Sequence, residues 1–203
     1  MDFLSMIEKT GNEEIRNEII QKFYDDRIIV INSDIGEWLL EDVILHIINW
    51  NMEDRDIPLE KRKDIILVID SEGGSVFSSN NLVDVIRSSK TKITAVGCSM
   101  VASAAFSIFI ACHKRYAFKH TSFLMHESSR QLANSAGKMR DWMDFLDELD
   151  DVDKQLVIER TNVTEEEYEK FKRNEVLFFS NEAVERGVVD GIIGEDVYID
   201  EIF

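Results

Sequence analysis

The stretch Ile65-Ile66-Leu67-Val68-Ile69, running on through Asp70-Ser71-Glu72 to Gly73-Gly74, decides the fold class. Five consecutive β-branched or leucine residues ending near a glycine pair read as a strand apolar on both faces, closed by a sharp turn. Beyond the turn, Leu82, Val83 and Ile86 fall on one side of a helix, and Lys92 to Gly97 reads as the next strand. Strand, helix and strand form a βαβ unit, which makes the chain an α/β protein whose sheet is covered on both faces.

Working outward, Arg27-Ile28-Ile29-Val30-Ile31 is a second continuously apolar strand, preceded by a helical lead-in from about Glu13 to Phe23. Ile35, Leu39, Leu40, Val43, Ile44, Ile47 and Ile48 give one apolar helical face from about Gly36 to Trp50. The charged run Glu53 to Asp64, with the only proline, reads as a surface loop. On the other side, Ser103 to Cys112 reads as a buried helix, and Arg115 to Phe118 and Ser122 to Met125 as two brief strands. A long helix from about Gly137 to Arg160 carries Asp141, Asp144, Asp147, Glu148, Asp151 and Asp153 on a face read as outer. Its apolar stripe, Trp142, Phe145, Leu149, Val152 and Leu156, follows a core that already reads as complete, so a partner subunit can cover it. Helices at about Thr164 to Arg173 and Asn181 to Arg186 precede a last strand, Val188 to Ile193.

The chain has 203 residues, 44% of them hydrophobic, with nine glycines, enough to bury one core; the expectation is a single domain over residues 1–203. Lys and Arg number 23 against 40 Asp and Glu, a net charge of −17 that repels phosphate backbones and anionic lipid and argues against nucleic-acid and membrane partners. Acidic residues near the start and the absence of a long apolar run point to a cytoplasmic protein. Cys98 and Cys112 lack metal-ligand spacing and read as small buried hydrophobes.

Three places could carry chemistry. Gly73-Gly74 sits where open α/β folds place ligand sites, and taken alone reads first as a tight turn; no phosphate-loop or dinucleotide pattern surrounds it. Ser103, at a strand-to-helix junction, reads as an N-cap, as a serine buried among alanines, or as a hydroxyl at the positive end of a helix dipole with the Ala104 amide beside it. Among four histidines, His126 ends the apolar strand Phe123-Leu124-Met125, a location that suits either a structural imidazole or a general base facing a cleft.

Taken in order, these segments resemble the Clp protease proteolytic subunit, ClpP, a self-compartmentalised serine peptidase of the crotonase-like superfamily, over about Phe23 to Ile193. The resemblance is carried by Arg27-Ile28-Ile29 with Asp34-Ile35, Ser71-Glu72-Gly73-Gly74-Ser75-Val76, Met100-Val101-Ala102-Ser103, Leu124-Met125-His126 and Ser180-Asn181-Glu182-Ala183-Val184-Glu185-Arg186-Gly187-Val188-Val189-Asp190. It implies the ClpP/crotonase-like fold of repeated β-β-α units, with residues 1–22 as a lead-in and about 127–175 as a protruding long-helix handle. It also implies Ser103 as nucleophile, His126 as base, the amides of Gly74 and Ala104 as oxyanion hole, and no metal or cofactor. Two stacked seven-membered rings, an AAA+ unfoldase partner and unfolded polypeptide substrates follow from the same resemblance. So does substrate held by strand addition at the sheet edge and loop after His126.

The sequence departs from the family at three places. Glu72 stands where the family has proline, and Glu127-Ser128-Ser129-Arg130-Gln131 replaces a glycine-rich segment. For the third triad member, counting back from Ser180 reaches Val176, and counting forward from Thr161 reaches Glu175; a one-residue insertion reconciles the counts. Glu175 is therefore the candidate acid, with Asn174 as an amide orienter. The alternatives are a catalytically impaired ring subunit or a specialised phage-type maturation protease of the same fold. Acyl-CoA chemistry on the related crotonase architecture has no use for a Ser-His pair.

Overall fold

The computed structural model describes residues 15–126, 135–171 and 174–203. Its centre is a seven-stranded sheet. Strands β1 (Ile28–Ile31), β2 (Ile65–Ser71), β3 (Ile93–Ala102), β4 (Lys114–Phe118) and β7 (Gly191–Ile193) run in that order, each parallel to its neighbour. The apolar runs of β1 and β2 enter as expected. Ile31, Ile65, Leu67 and Ile69 are fully buried, because helices cover one face and the other is closed by a second apolar cluster around Ile28, Ile66, Val96 and Ile193.

Strand β3 is longer than the reading of Lys92 to Gly97, and its length matters for the site. Its first half pairs with β4 through Thr94–Gly97, while its second half, Met100–Ala102, pairs in parallel with β5 (Ser122–Met125). β3 thus delivers Ser103 directly beside the strand that ends at His126. An unanticipated strand β6 (Val176–Phe179) pairs antiparallel with β5, with Met125 opposite Val176.

The helices are α1 (15–25), α2 (Leu45–Glu53), α3 (Val76–Ser88), α4 (Ala104–Ala111), α5 (Ala136–Arg160), α6 (Glu165–Phe171) and α7 (Ser180–Glu185). The helix expected from Gly36 opens instead with a π-type turn over Leu40–Ile44. α4 is apolar all round, and Ala105, Ile108, Phe109 and Ile110 are wholly enclosed between the sheet, α3 and α5.

Arg160, the last residue of α5, fixes that helix to the far end of α4. Its Nε donates to the Ile110 carbonyl at 3.0 Å and its Nη2 to that of Cys112 at 2.6 Å. Seven residues back along α5, about 10 Å at 1.5 Å per residue, lies Asp153, which this geometry carries towards the start of α4. Asp153 accordingly does not sit on the outer face read for it. Burial and the pocket it lines place it inward, while Trp142, Phe145 and Val152 of the apolar stripe are 45%, 46% and 58% exposed. Leu156 of the same stripe is buried in the core, and Phe145 stacks on exposed Phe77 of α3.

Candidate active site

Ser103 occupies a single residue between β3 and α4 with φ 53° and ψ −125°, a left-handed conformation that a non-glycine residue adopts at a cost of about 1–3 kcal/mol. The surroundings hold it there. Its N–H donates to the Leu124 carbonyl at 3.0 Å, and its carbonyl accepts from Phe106 and Ser107 in the first turn of α4. The bond to Leu124 also sets the separation from His126, two residues further along, and Ser103 Oγ lies 2.8 Å from His126 Nε2. Both residues are half-buried.

The glycine turn packs against this junction. Gly73 has φ +106°, and a Cβ built on it would stand 2.7 Å from Ser103 Cβ and 3.1 Å from the Ala104 nitrogen. Only glycine brings backbone this close. Gly73 N–H donates to Ser71 Oγ at 3.1 Å. Gly74 (φ +146°) is bridged to Ile35 through the flanking groups, Ile35 N–H to the Gly73 carbonyl and Ser75 N–H to the Ile35 carbonyl. Neither the Gly74 nor the Ala104 N–H donates to a described residue, so two amides beside Ser103 are left to take an external acceptor, one of them at the N-terminus of a buried helix.

The third position is not assembled. Continuing the β5–β6 register one step past Met125 and Val176 sets Glu175 opposite His126, but the ladder ends at that pair. Glu175 is exposed, and no hydrogen bond joins it to His126. Asn174 does not orient the imidazole either, because its Nδ2 donates to the Lys170 carbonyl at 3.2 Å. Among the described residues, the other ring nitrogen of His126 has no partner. The segment from Glu127 to Gln131 lies outside the described residues.

Ser103 and His126 open on a pocket of about 40 Å3 whose other lining includes Val76, Phe106, Met125, Val157, Asp150 and Asp153. The two aspartates were not anticipated as site residues. Asp150 is 8% exposed. Burial first, and then the neighbouring Asp150 carboxylate, push the Asp153 carboxyl up to about 6. The Asn80 amide opposes the shift only in part, since its buried Nδ2 meets no acceptor in full hydrogen-bond geometry.

A mixed α/β fold with a largely parallel sheet, in which a strained serine meets a histidine at the N-terminus of a buried helix, defines the class: an α/β protein with a Ser-His pair at a strand-to-helix turn. The family model described as Clp protease matches residues 11–196, and the chain belongs to that family. It is similar to the ATP-dependent Clp protease proteolytic subunit 2 of Thermobifida fusca, at 27% identity covering 91% of this chain and 93% of that one. The protein of the same name from Treponema denticola is 26% identical, covering 89% and 92%. A solved structure of an asparagine-to-aspartate mutant of ClpP1 from Listeria monocytogenes superposes with a TM-score of 0.74 at 26% identity, covering 90% of this chain and 98% of that one. The chain is thus a ClpP-family protease subunit with the mixed α/β, parallel-sheet fold of that structure.

Proposed function

We propose that the protein is a serine endopeptidase subunit in which Ser103 is the nucleophile and His126 its base. The observation that carries this is the 2.8 Å contact between Ser103 Oγ and His126 Nε2 at the start of a buried helix. As Oγ attacks the scissile carbonyl, His126 takes its proton, and the unspent N–H groups of Gly74 and Ala104 receive the developing oxyanion. The imidazolium then protonates the leaving amine, and water resolves the acyl-enzyme by the same route. No metal or cofactor enters. Glu175, which precedes Val176 at the start of β6 and falls opposite His126 in the extended register, is the acid proposed to orient the imidazole.

In this reading the protein works in the cytoplasm, in two stacked seven-membered rings fed with unfolded polypeptide by an AAA+ ATPase. Support for assembly comes from Trp142, Phe145 and Val152, a row of large exposed apolar side chains on α5 that a lone chain leaves in water. A second reading, a catalytically impaired ring subunit, is favoured by one observation: His126 bonds only Ser103 among the described residues. A fluorophosphonate separates the two. It labels Ser103 in the active subunit and not in Ser103→Ala, whose peptide cleavage falls by about 10^4-fold or more while assembly persists. An unlabelled wild-type protein rejects the hydrolytic reading.

A further inference from the structure

The pocket beside Ser103 has a mixed character that a purely apolar substrate would not use. Val76, Phe106, Met125 and Val157 supply apolar walls, and Asp150 and Asp153, one helical turn apart on α5, add carboxylates. No cation among the described residues pairs with Asp153. Its neighbour Lys154 turns away to Glu165 and Glu169 at 2.8 and 2.6 Å. Burying a carboxylate without a counter-charge is costly, and the fold does not require it here, since an apolar side chain between Phe106 and Val157 would pack without that cost.

We propose that Asp153, with Asp150 beside it, makes this pocket the receptor for the side chain that precedes the cleaved bond, and selects lysine or arginine there. This deepens the hydrolytic reading of Ser103 and His126 and rests on it. A residue whose carbonyl is attacked by Ser103 must place its own side chain within a few ångströms of Ser Oγ, and this is the pocket that Ser103 and His126 line. Its volume of about 40 Å3 holds about three waters. A pocket of that size takes an unbranched stem more readily than an aromatic ring. Lysine and arginine match it along their length, with methylenes against Val76, Phe106, Met125 and Val157 and a cationic head at the carboxylates. The charge that is costly in the empty pocket is then compensated by the substrate, so selectivity is built from an unmet ionic partner rather than from area.

The test uses the full-length assembled protein and a set of fluorogenic peptides identical except before the scissile bond, where lysine, arginine, norleucine, leucine and phenylalanine are compared. Norleucine is the neutral counterpart of the lysine stem. The expected result is a kcat/KM for lysine and arginine at least about tenfold above norleucine, brought within about threefold by Asp153→Asn and inverted by Asp153→Leu. The wild-type series stands even if a variant fails to fold. Ser103 labelled by fluorophosphonate, together with norleucine or leucine cleaved better than lysine, overturns the pocket assignment and leaves the hydrolytic reading intact. Absence of both labelling and cleavage across the whole set overturns the hydrolytic reading, and the pocket assignment with it.

Discussion

Gly73→Ala places one methyl group where the turn meets the nucleophile. At φ +106° an L side chain is strained, and the new Cβ stands 2.7 Å from Ser103 Cβ, 2.8 Å from the Ala102 carbonyl oxygen and 3.1 Å from the Ala104 nitrogen. Two of these three neighbours are backbone and the third is the Cβ of a residue fixed by three backbone hydrogen bonds, so none yields cheaply. Backbone strain of about 1–3 kcal/mol adds to overpacking of about 1–3 kcal/mol, for a cost on the order of 2–6 kcal/mol. With a urea slope of about 1–3 kcal/mol per molar, the mid-range values put the fall in the unfolding midpoint at about 2 M at fixed protein concentration. Relief by moving the β3–α4 junction about 1 Å would misplace Ser103 against His126 and lower kcat/KM by about 100-fold.

Gly194→Ala is the matched control, because Gly194 has φ +91° but nothing within 4 Å of its added Cβ. It carries the strain without the collision. The assay is equilibrium urea unfolding and peptide turnover for both variants beside wild type. The expected pattern is a modest stability loss in both, with the larger stability loss and the activity loss confined to Gly73→Ala. Equal midpoints and equal turnover in the two variants would refute the claim that the glycine turn positions the serine.

Three further outcomes can be checked directly. Peptidase assays of Glu175→Gln and Asn174→Ala, with assembly verified in each, should show a large rate loss only in the first; full activity of Glu175→Gln rejects the proposed acid. Light scattering at micromolar concentration should give a mass well above 23.5 kDa, and a monomer of native helicity would reject the ring. Asp153→Asn should stabilise the fold at pH 7.5 by an amount on the order of 3 kcal/mol, the worth of a carboxyl raised from 3.8 to about 6. Because that pKa is higher in the folded chain than in the unfolded one, the folded state binds the extra proton between about pH 4 and 6. Stability from this group is present at low pH and is lost as pH rises through 6. The gain in Asp153→Asn should therefore vanish by pH 4, read as the difference between variant and wild type at each pH; that difference includes the relief of repulsion from Asp150.

The parallel core was legible because its signal is local. Ile65 to Ile69 is apolar on both faces, a pattern that only a doubly covered strand uses, and the structure buries four of the five and half-buries Val68. Strand β6 was not, because two of its four residues, Leu177 and Phe179, are 59% and 62% exposed. Nothing in Val-Leu-Phe-Phe alternates between apolar and polar, and the strand exists through its pairing with β5, more than fifty residues earlier in the chain. The same distinction separates the parts of the site. His126 ends a readable strand and Ser103 opens a readable helix, but the hydrogen bond from Ser103 N–H to the Leu124 carbonyl, which sets their spacing, follows only from β3 running past Gly97.

The two pocket aspartates show a different limit, since the information needed to place them was present. At 100° per residue, Asp150 lies 20° from Val157 around the α5 axis and Asp153 lies 40° from it. Val157 is buried, so both aspartates share the inward face. Charge obscured this: acidic residues on a long helix are ordinarily solvated, and Asp153 was grouped with Asp144, Asp147 and Asp151 by type rather than by angle. Angle is the stronger guide wherever a helix is fixed against a core, as Arg160 fixes α5 to the end of α4. A carboxylate whose angle and charge disagree is either neutralised or held for a cation. Burial raises Asp153 only to about 6, so it is largely ionised at neutral pH without a described counter-ion, and a cationic substrate side chain is the partner that resolves the conflict.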